Sequence, residues 1–142
     1  MGRPLSFPES ASGVTEHRTY QVEEYVNTTE IAGYPAALSA GQCVIDDVAA
    51  TPGTSAVAST AASVYGIGIC VEDIPAGRIG RIAVSGGGVQ AAVSEAVSFG
   101  DLLGPGAGGE LAVTINPEEA IAVPEEETAI AGTIAVRLKG AV

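Results

Sequence analysis

The chain has 142 residues, which suits one core of ordinary size better than two full domains. Six Lys and Arg against 17 Asp and Glu leave a formal charge of −11 and no basic run, which argues against nucleic acid and against an anionic membrane surface as partners. The apolar share of 46% comes mainly from 24 Ala, 16 Val and 11 Ile, and 19 Gly with 8 Pro interrupt it too often for long helices, which predicts an all-β protein.

Residues 1–18 show neither the period of a strand nor that of a helix. They are predicted to form an extended N-terminal arm, followed by a single β domain over residues 19–142. Leu5 and Phe7 are large apolar side chains within this arm, and we expect them to contact a partner surface. The N-terminus lacks the apolar stretch of a signal peptide, and no run reaches the roughly 18 apolar residues of a membrane span. The sequence therefore predicts a protein made in the cytoplasm, with no membrane partner.

Short apolar runs between turn residues follow the arm, at intervals of about 8 to 12 residues. In the first half they cover Tyr20–Val26, Cys43–Ile45 and Val64–Val71, while residues 56–64 fit either a strand or a loop. This spacing is typical of an antiparallel β-sandwich or a small β-barrel.

The sequence of the second half predicts two hairpins and a final strand. Residues 78–84 and 89–93 form the first hairpin if Ser85–Gly88 reverses the chain, and residues 102–103 and 111–113 form the second around a glycine-rich connection. The last predicted strand is Thr133–Leu138, with Ile134, Val136 and Leu138 on one face and Arg137 and Lys139 on the other, which indicates a half-buried strand. Pro124–Glu127 could begin a helix, but a solvated acidic loop is the favoured interpretation.

The two halves share a weak internal similarity. Residues 40–44 resemble residues 99–103, and each segment is followed some 25 to 32 residues later by a glycine-bearing apolar run, at 65–69 and at 130–134. The similarity predicts two related β units packed together, although two copies leave chance as an alternative.

Residues capable of catalysis are few. His17 is the only histidine, and Cys43 and Cys70 are expected to be two buried thiols, with a disulfide possible if their strands are neighbours. The paired acids, such as Asp46–Asp47, point to opposite faces of a strand and make a poor metal cage. Glycine runs 86–88 and 104–109 lack the residues of a phosphate loop. We therefore predict no enzyme, no cofactor and no metal site.

Five segments, taken in order, carry a resemblance to a known family. They are Gly41–Val44, Gly66–Gly77 (Gly-Ile-Gly-Ile-Cys-Val-Glu-Asp-Ile-Pro-Ala-Gly), Ile82–Val89 (Ile-Ala-Val-Ser-Gly-Gly-Gly-Val), Phe99–Leu103 (Phe-Gly-Asp-Leu-Leu) and Ile130–Val136 (Ile-Ala-Gly-Thr-Ile-Ala-Val). Together, over residues 38–138, they resemble the small capsid decoration, or cement, proteins of tailed bacteriophages.

This resemblance implies a compact β domain that sits as a trimer on the outer surface of a phage head, contacts the major capsid protein and performs no catalysis. A trimer multiplies weak contacts, so such a protein can stabilise the head by joining neighbouring capsid subunits. We expect Leu5 and Phe7 of the arm to be the capsid contacts.

Two other functions remain open at this point. A carbohydrate- or host-surface-binding β-sandwich adhesin would need an exposed aromatic platform, and a hydrolase would need a working pair among the 17 acids. The aromatic candidates for such a platform are Tyr20, Tyr25, Tyr34, Tyr65, Phe7 and Phe99.

Overall fold

The computed structural model describes residues 19–140, so the predicted arm with Leu5, Phe7 and His17 lies outside the described residues. The described part consists of β-strands and one short 3-10 turn at Ala107–Gly109, which confirms the all-β prediction. It contains no helix long and apolar enough to cross a membrane. The strands are β1 (Gln21–Asn27), β2 (Glu30–Ile31), β3 (Tyr34–Pro35), β4 (Cys43–Asp46), β5 (Ser55–Ala58), β6 (Gly66–Cys70), β7 (Ile79–Val93), β8 (Leu102–Pro105), β9 (Leu111–Thr114), β10 (Ala122–Pro124) and β11 (Gly132–Leu138).

The strands of the first half close into a ring of five, called ring 1 here. The first part of β7 pairs with β1, β1 with β5, β5 with β4, β4 with β6, and β6 returns to β7. All these pairs are antiparallel except β1–β5, in which Val26 lies opposite Ser55. Closure leaves no free edge in this ring.

The strands of the second half close in the same way to form ring 2. The last part of β7 pairs with β11, β11 with β10, β10 with β8, and β8 with β9. A parallel contact between Leu111 of β9 and Val93 of β7 completes the circuit, and the Ser94 amide donates to the Leu111 carbonyl at 3.0 Å.

The predicted hairpin at residues 78–93 is wrong, because β7 is one continuous strand of 15 residues. Its first part belongs to ring 1 and its last part to ring 2. Gly86 and Gly88 do have the positive φ that a turn would use, but here they lie inside the strand, beside the register shifts where the rings meet. A Cβ at Gly86 would press on the backbone of Thr19 and Tyr20, so close packing of backbones, and not chain reversal, requires glycine there.

Register shows that the two rings follow one plan. In β4, Val44 pairs with Ala58 and Gly68, and in β8, Leu103 pairs with Val113 and Ala122. The strands β1, β4, β5, β6 and first part of β7 thus correspond to the last part of β7 and to β8, β9, β10 and β11.

The turns that open β4 and β8 correspond as well. The Ser39 amide donates to the Gln42 side chain at 2.7 Å, and the Ser98 amide donates to Asp101 at 2.8 Å. The isolated bridges Leu38–Ile74 and Val97–Thr128 precede these turns in the same way. The predicted similarity of residues 40–44 and 99–103 is therefore confirmed.

The other half of the predicted repeat was misaligned. Residues 65–69 belong to β6, whose counterpart is β10, whereas residues 130–134 lead into β11, the counterpart of the first part of β7. Both segments contain glycine between apolar residues, but this local similarity does not determine which strands they pair with.

The core has two parts. Ring 1 encloses Val44, Cys70 and Ile82 together with Leu38, Ala56 and Ile74. The other cluster fills ring 2 and extends between the rings, because alternate residues of ring 1 point outward to ring 2. Those outward residues are Cys43, Ile69 and Ala83.

Other predicted elements match closely. The hairpin of β8 and β9 and the strand at β11 are confirmed, and Ile134, Val136 and Leu138 of β11 are buried while Arg137 is exposed. Residues 56–64 contribute only the end of β5, and the acidic segment after Pro124 is a loop, as favoured.

Candidate functional site

One concavity lies where ring 1 opens toward ring 2. It has a volume of about 500 Å³ and is lined by Gln21, Glu23 and Tyr25 of β1, by parts of β6 and β7, and by residues 117, 118, 120 and 121 before β10. The Tyr25 hydroxyl donates to the Glu23 carboxylate at 3.2 Å. Burial and this neighbouring carboxylate raise the pKa of Tyr25, so its phenol stays protonated and is a poor base.

A second, shallower concavity of about 720 Å³ lies beside β2 and β5. Its closest polar contact joins the Thr28 hydroxyl to Asp47 at 2.6 Å. The other oxygen of Asp47 accepts from the Ala49 amide at 3.2 Å, so this carboxylate closes a turn. The pair thus ties β1 to the connection between β4 and β5.

The paired acids serve the backbone in a similar way. Asp46 accepts from the Gly53 amide at 3.1 Å, and Asp73 accepts from the Ala40 amide at 2.9 Å. Among residues 19–140, no group of three or more His, Cys, Asp or Glu side chains is placed to hold a metal ion. These carboxylates are stabilisers of turns.

Both cysteines are buried free thiols, as expected. Cys43 lies opposite Ile69, so its side chain points between the rings, whereas Cys70 is the next residue along β6 and points into ring 1. The disulfide left open by the sequence is therefore not formed. Burial raises the pKa of both thiols to about 12.

The aromatic side chains proposed for a platform belong to several separate elements. Tyr34 lies on the β2–β3 hairpin, Tyr65 precedes β6 and Phe99 lies in the turn before β8, with exposed fractions of 75%, 55% and 62%. Tyr20 and Tyr25 pack partly against the two cores.

The largest exposed apolar side chains of ring 2 share one end of it, called the distal end here. At this end β7, β9 and β10 end and β8 and β11 begin. Phe99 precedes β8, Ile115 follows β9 and Ile130 precedes β11, and their exposed fractions are 62%, 97% and 73%. The sequence singled out Phe99 as an aromatic and Ile130 as part of a motif, but it contains no signal that they lie at the same end of ring 2 as Ile115.

Hydrogen bonds hold these three side chains on ordered turns. The Phe99 amide donates to the Glu127 carboxylate at 2.9 Å, which joins the two connections at the distal end. The Thr128 hydroxyl donates to the Ile130 carbonyl at 2.8 Å. Next to Ile115, the Asn116 amide donates to the Thr114 hydroxyl at 3.0 Å.

The distal end is also strongly acidic. The connections 94–101 and 125–131 contain five acids and no Lys or Arg. Glu125 pairs with Arg137 at 3.3 Å, while the other four have no ion-pair partner within residues 19–140. The five acids are Glu95, Asp101, Glu125, Glu126 and Glu127.

Comparisons with known proteins give one kind of match. No family model matches the chain, and no curated protein matches it in sequence. Among solved structures, the fold is similar to the crystal structure of the base of the head fiber protein gp8.5 of bacteriophage phi29. The TM-score is 0.56 with 14% identity, over 84% of this chain and 95% of that one. The two proteins therefore share a fold at low sequence identity.

Proposed function

We propose that this protein is a non-enzymatic structural component of a phage head. It binds the outer surface of the shell as a homotrimer and cements neighbouring major capsid subunits. The observation that carries the proposal is the shared fold with a protein of the phage phi29 head. The five segments that resemble decoration proteins support it independently, since they span both rings.

The charge supports an outer position. A chain with a net charge of −11 is repelled by packaged DNA but carries no such penalty on the outside of the shell. Negative charge also keeps unbound copies soluble before they attach.

The first test is the mass of the purified full chain in solution, measured by light scattering. We expect three times the chain mass of 14.1 kDa. A monomer at micromolar concentration that does not bind purified expanded heads overturns the proposal.

The second test concerns the arm. Deletion of residues 1–18, or the pair Leu5→Ala and Phe7→Ala, is expected to leave the mass and the folded β structure unchanged and to weaken binding to heads. The pair Ser6→Ala and Ser10→Ala is the matched control in the same segment. Unchanged binding by the deletion variant removes the arm from the proposed contact.

A further inference from the structure

Three matched positions at the distal end of ring 2 carry larger side chains than their counterparts in ring 1. By register, Phe99 corresponds to Ala40, Ile115 to Thr60 and Ile130 to Ala76. Three small or polar residues in ring 1 are thus replaced by three large, exposed apolar ones in ring 2.

Single exposed apolar residues are ordinary on a protein surface, but a group on one end marks an interaction surface. The three side chains are carried on hydrogen-bonded turns, as described above, so a partner would not have to order them. Such pre-organisation lowers the entropic cost of binding.

Charge selects the kind of partner. The two connections at the distal end carry five acids and no cation, whereas their counterparts in ring 1, residues 28–42 and 71–78, carry three acids and one Arg. Two copies meeting through their distal ends would bring like charges together, which disfavours self-association there. A surface rimmed with Lys and Arg would meet opposite charge.

We propose that the distal end of ring 2 is the surface that docks on a basic protein face with apolar sockets, which receive Phe99, Ile115 and Ile130. The inference rests on the proposed function in one respect, since it takes the outer face of the phage shell as that partner. It also goes beyond it, because it assigns the docking face to ring 2.

The test uses the full-length chain and heads purified from a phage lacking this protein. The variant with Phe99→Ala, Ile115→Ala and Ile130→Ala is expected to bind these heads about 100-fold more weakly or worse, since buried anchors dominate binding energy. The matched control, Ile31→Ala, Tyr34→Ala and Ile79→Ala, removes three similarly exposed apolar residues from the β2–β3 hairpin and the start of β7, and it is expected to stay within about twofold of wild type. Circular dichroism and the unfolding temperature verify that both variants fold.

The charge is tested separately. The variant with Glu95→Gln, Glu126→Gln and Glu127→Gln keeps the side-chain carbonyls that accept backbone hydrogen bonds but removes three charges. It is expected to bind heads with a weaker dependence on salt than wild type, whereas Glu23→Gln, Glu24→Gln and Glu30→Gln leave that dependence unchanged.

The outcomes separate the two proposals. If wild type binds heads and the variant with Phe99→Ala, Ile115→Ala and Ile130→Ala binds equally well, the distal docking face is overturned and the proposed function is left intact. If the same triple alanine variant has a different mass in solution from wild type, the distal end is a contact between copies, and the proposed docking face is also overturned. Wild type that does not bind heads at all overturns the proposed function, and with it the assignment of the shell as partner.

Discussion

Ring 1 and ring 2 have the same strand connections and the same register, but they are built from different residues. Ring 1 carries Asn27 where ring 2 carries Val93, Gly68 where ring 2 carries Ala122, and Arg81 where ring 2 carries Ala135. Ring 1 thus has polar residues or a glycine at positions where ring 2 has small or branched apolar residues. The comparison teaches that the hydrogen-bonding plan is held constant while local chemistry is free to change.

The difference at Asn27 has a visible cause. Between β1 and β4 the chain needs room for the β2–β3 hairpin, whereas in ring 2 the corresponding connection from β7 to β8 has no strands of its own. The buried Asn27 side chain donates to the carbonyls of Ala36 and Ile74, both at 3.0 Å, and accepts from the Thr29 amide at 2.9 Å. It ties the inserted hairpin to the ring.

The largest effect is expected at Gly68. A Cβ there would overlap the carbonyl oxygen of Ala83, a backbone atom that cannot move aside, although Ala122 is accommodated at the matching site of ring 2. We expect Gly68→Ala to lower the free energy of unfolding by about 3 kcal/mol in chemical denaturation. Gly132→Ala, where a Cβ meets nothing within 4 Å, is the control and should be nearly neutral. Equal stability of the two variants would show that ring 1 accommodates a Cβ at position 68 as ring 2 does at Ala122.

The next largest effect is expected when Asn27 is replaced by valine, the residue type at the matching position of ring 2. Asn27→Val leaves the Thr29 amide and the Ala36 and Ile74 carbonyls without their buried partner, and we expect a loss of about 2 kcal/mol. Limited proteolysis should then cut the hairpin first. Gln21→Val, at an exposed position of the same strand, is expected to cost little. A hairpin as resistant as in wild type contradicts the role given to Asn27.

A smaller, pH-dependent effect is expected at Glu72. Hydrogen bonds from the Arg81 side chain and amide hold the pKa of Glu72 below its ordinary value of 4.5. A lowered pKa means that the ionised form stabilises the fold at neutral pH and that this contribution is lost as the pH falls from 4.5 through the lowered value. The unfolding temperature of Glu72→Gln should therefore lie below that of wild type at pH 7, with the difference shrinking in acid.

The counterpart in ring 2 supplies the control for that measurement. Glu126 accepts from the Ala135 amide at 2.7 Å but has no arginine at the matching position. Glu126→Gln should change the unfolding temperature less than Glu72→Gln. The reverse order would show that Arg81 adds nothing to ring 1.

The smallest effect concerns the thiols and needs no substitution. Because burial raises the pKa of Cys43 and Cys70 to about 12, neither should react with a disulfide reagent in the native state at pH 8. Both should react once denaturant unfolds the chain. If Cys70 is labelled stoichiometrically in the native state before Cys43, ring 1 opens while the contact between the rings stays closed. The two rings would then differ in local stability.

Local sequence determined much of this protein. Val and Ile are stiff at χ1 and favour extended backbone, so apolar runs rich in them form short strands, as in β11, where Ile134, Val136 and Leu138 alternate inward. The turn that opens β4 recurs before β8 because Gln42 and Asp101 each carry a side-chain oxygen that accepts a hydrogen bond from the backbone amide three residues earlier. Burial of both cysteines also followed from the apolar runs around them.

Only the tertiary structure decided how the strands close. The parallel contacts Val26–Ser55 and Leu111–Val93 join residues that no local period connects, and Gly86 has the φ of a turn while lying inside the continuous strand β7. A glycine permits both outcomes, and packing between the rings selects one of them. The position of Phe99, Ile115 and Ile130 at one end of ring 2 depends in the same way on ring closure, because each residue lies on a different connection and their separation in sequence does not reveal a shared end.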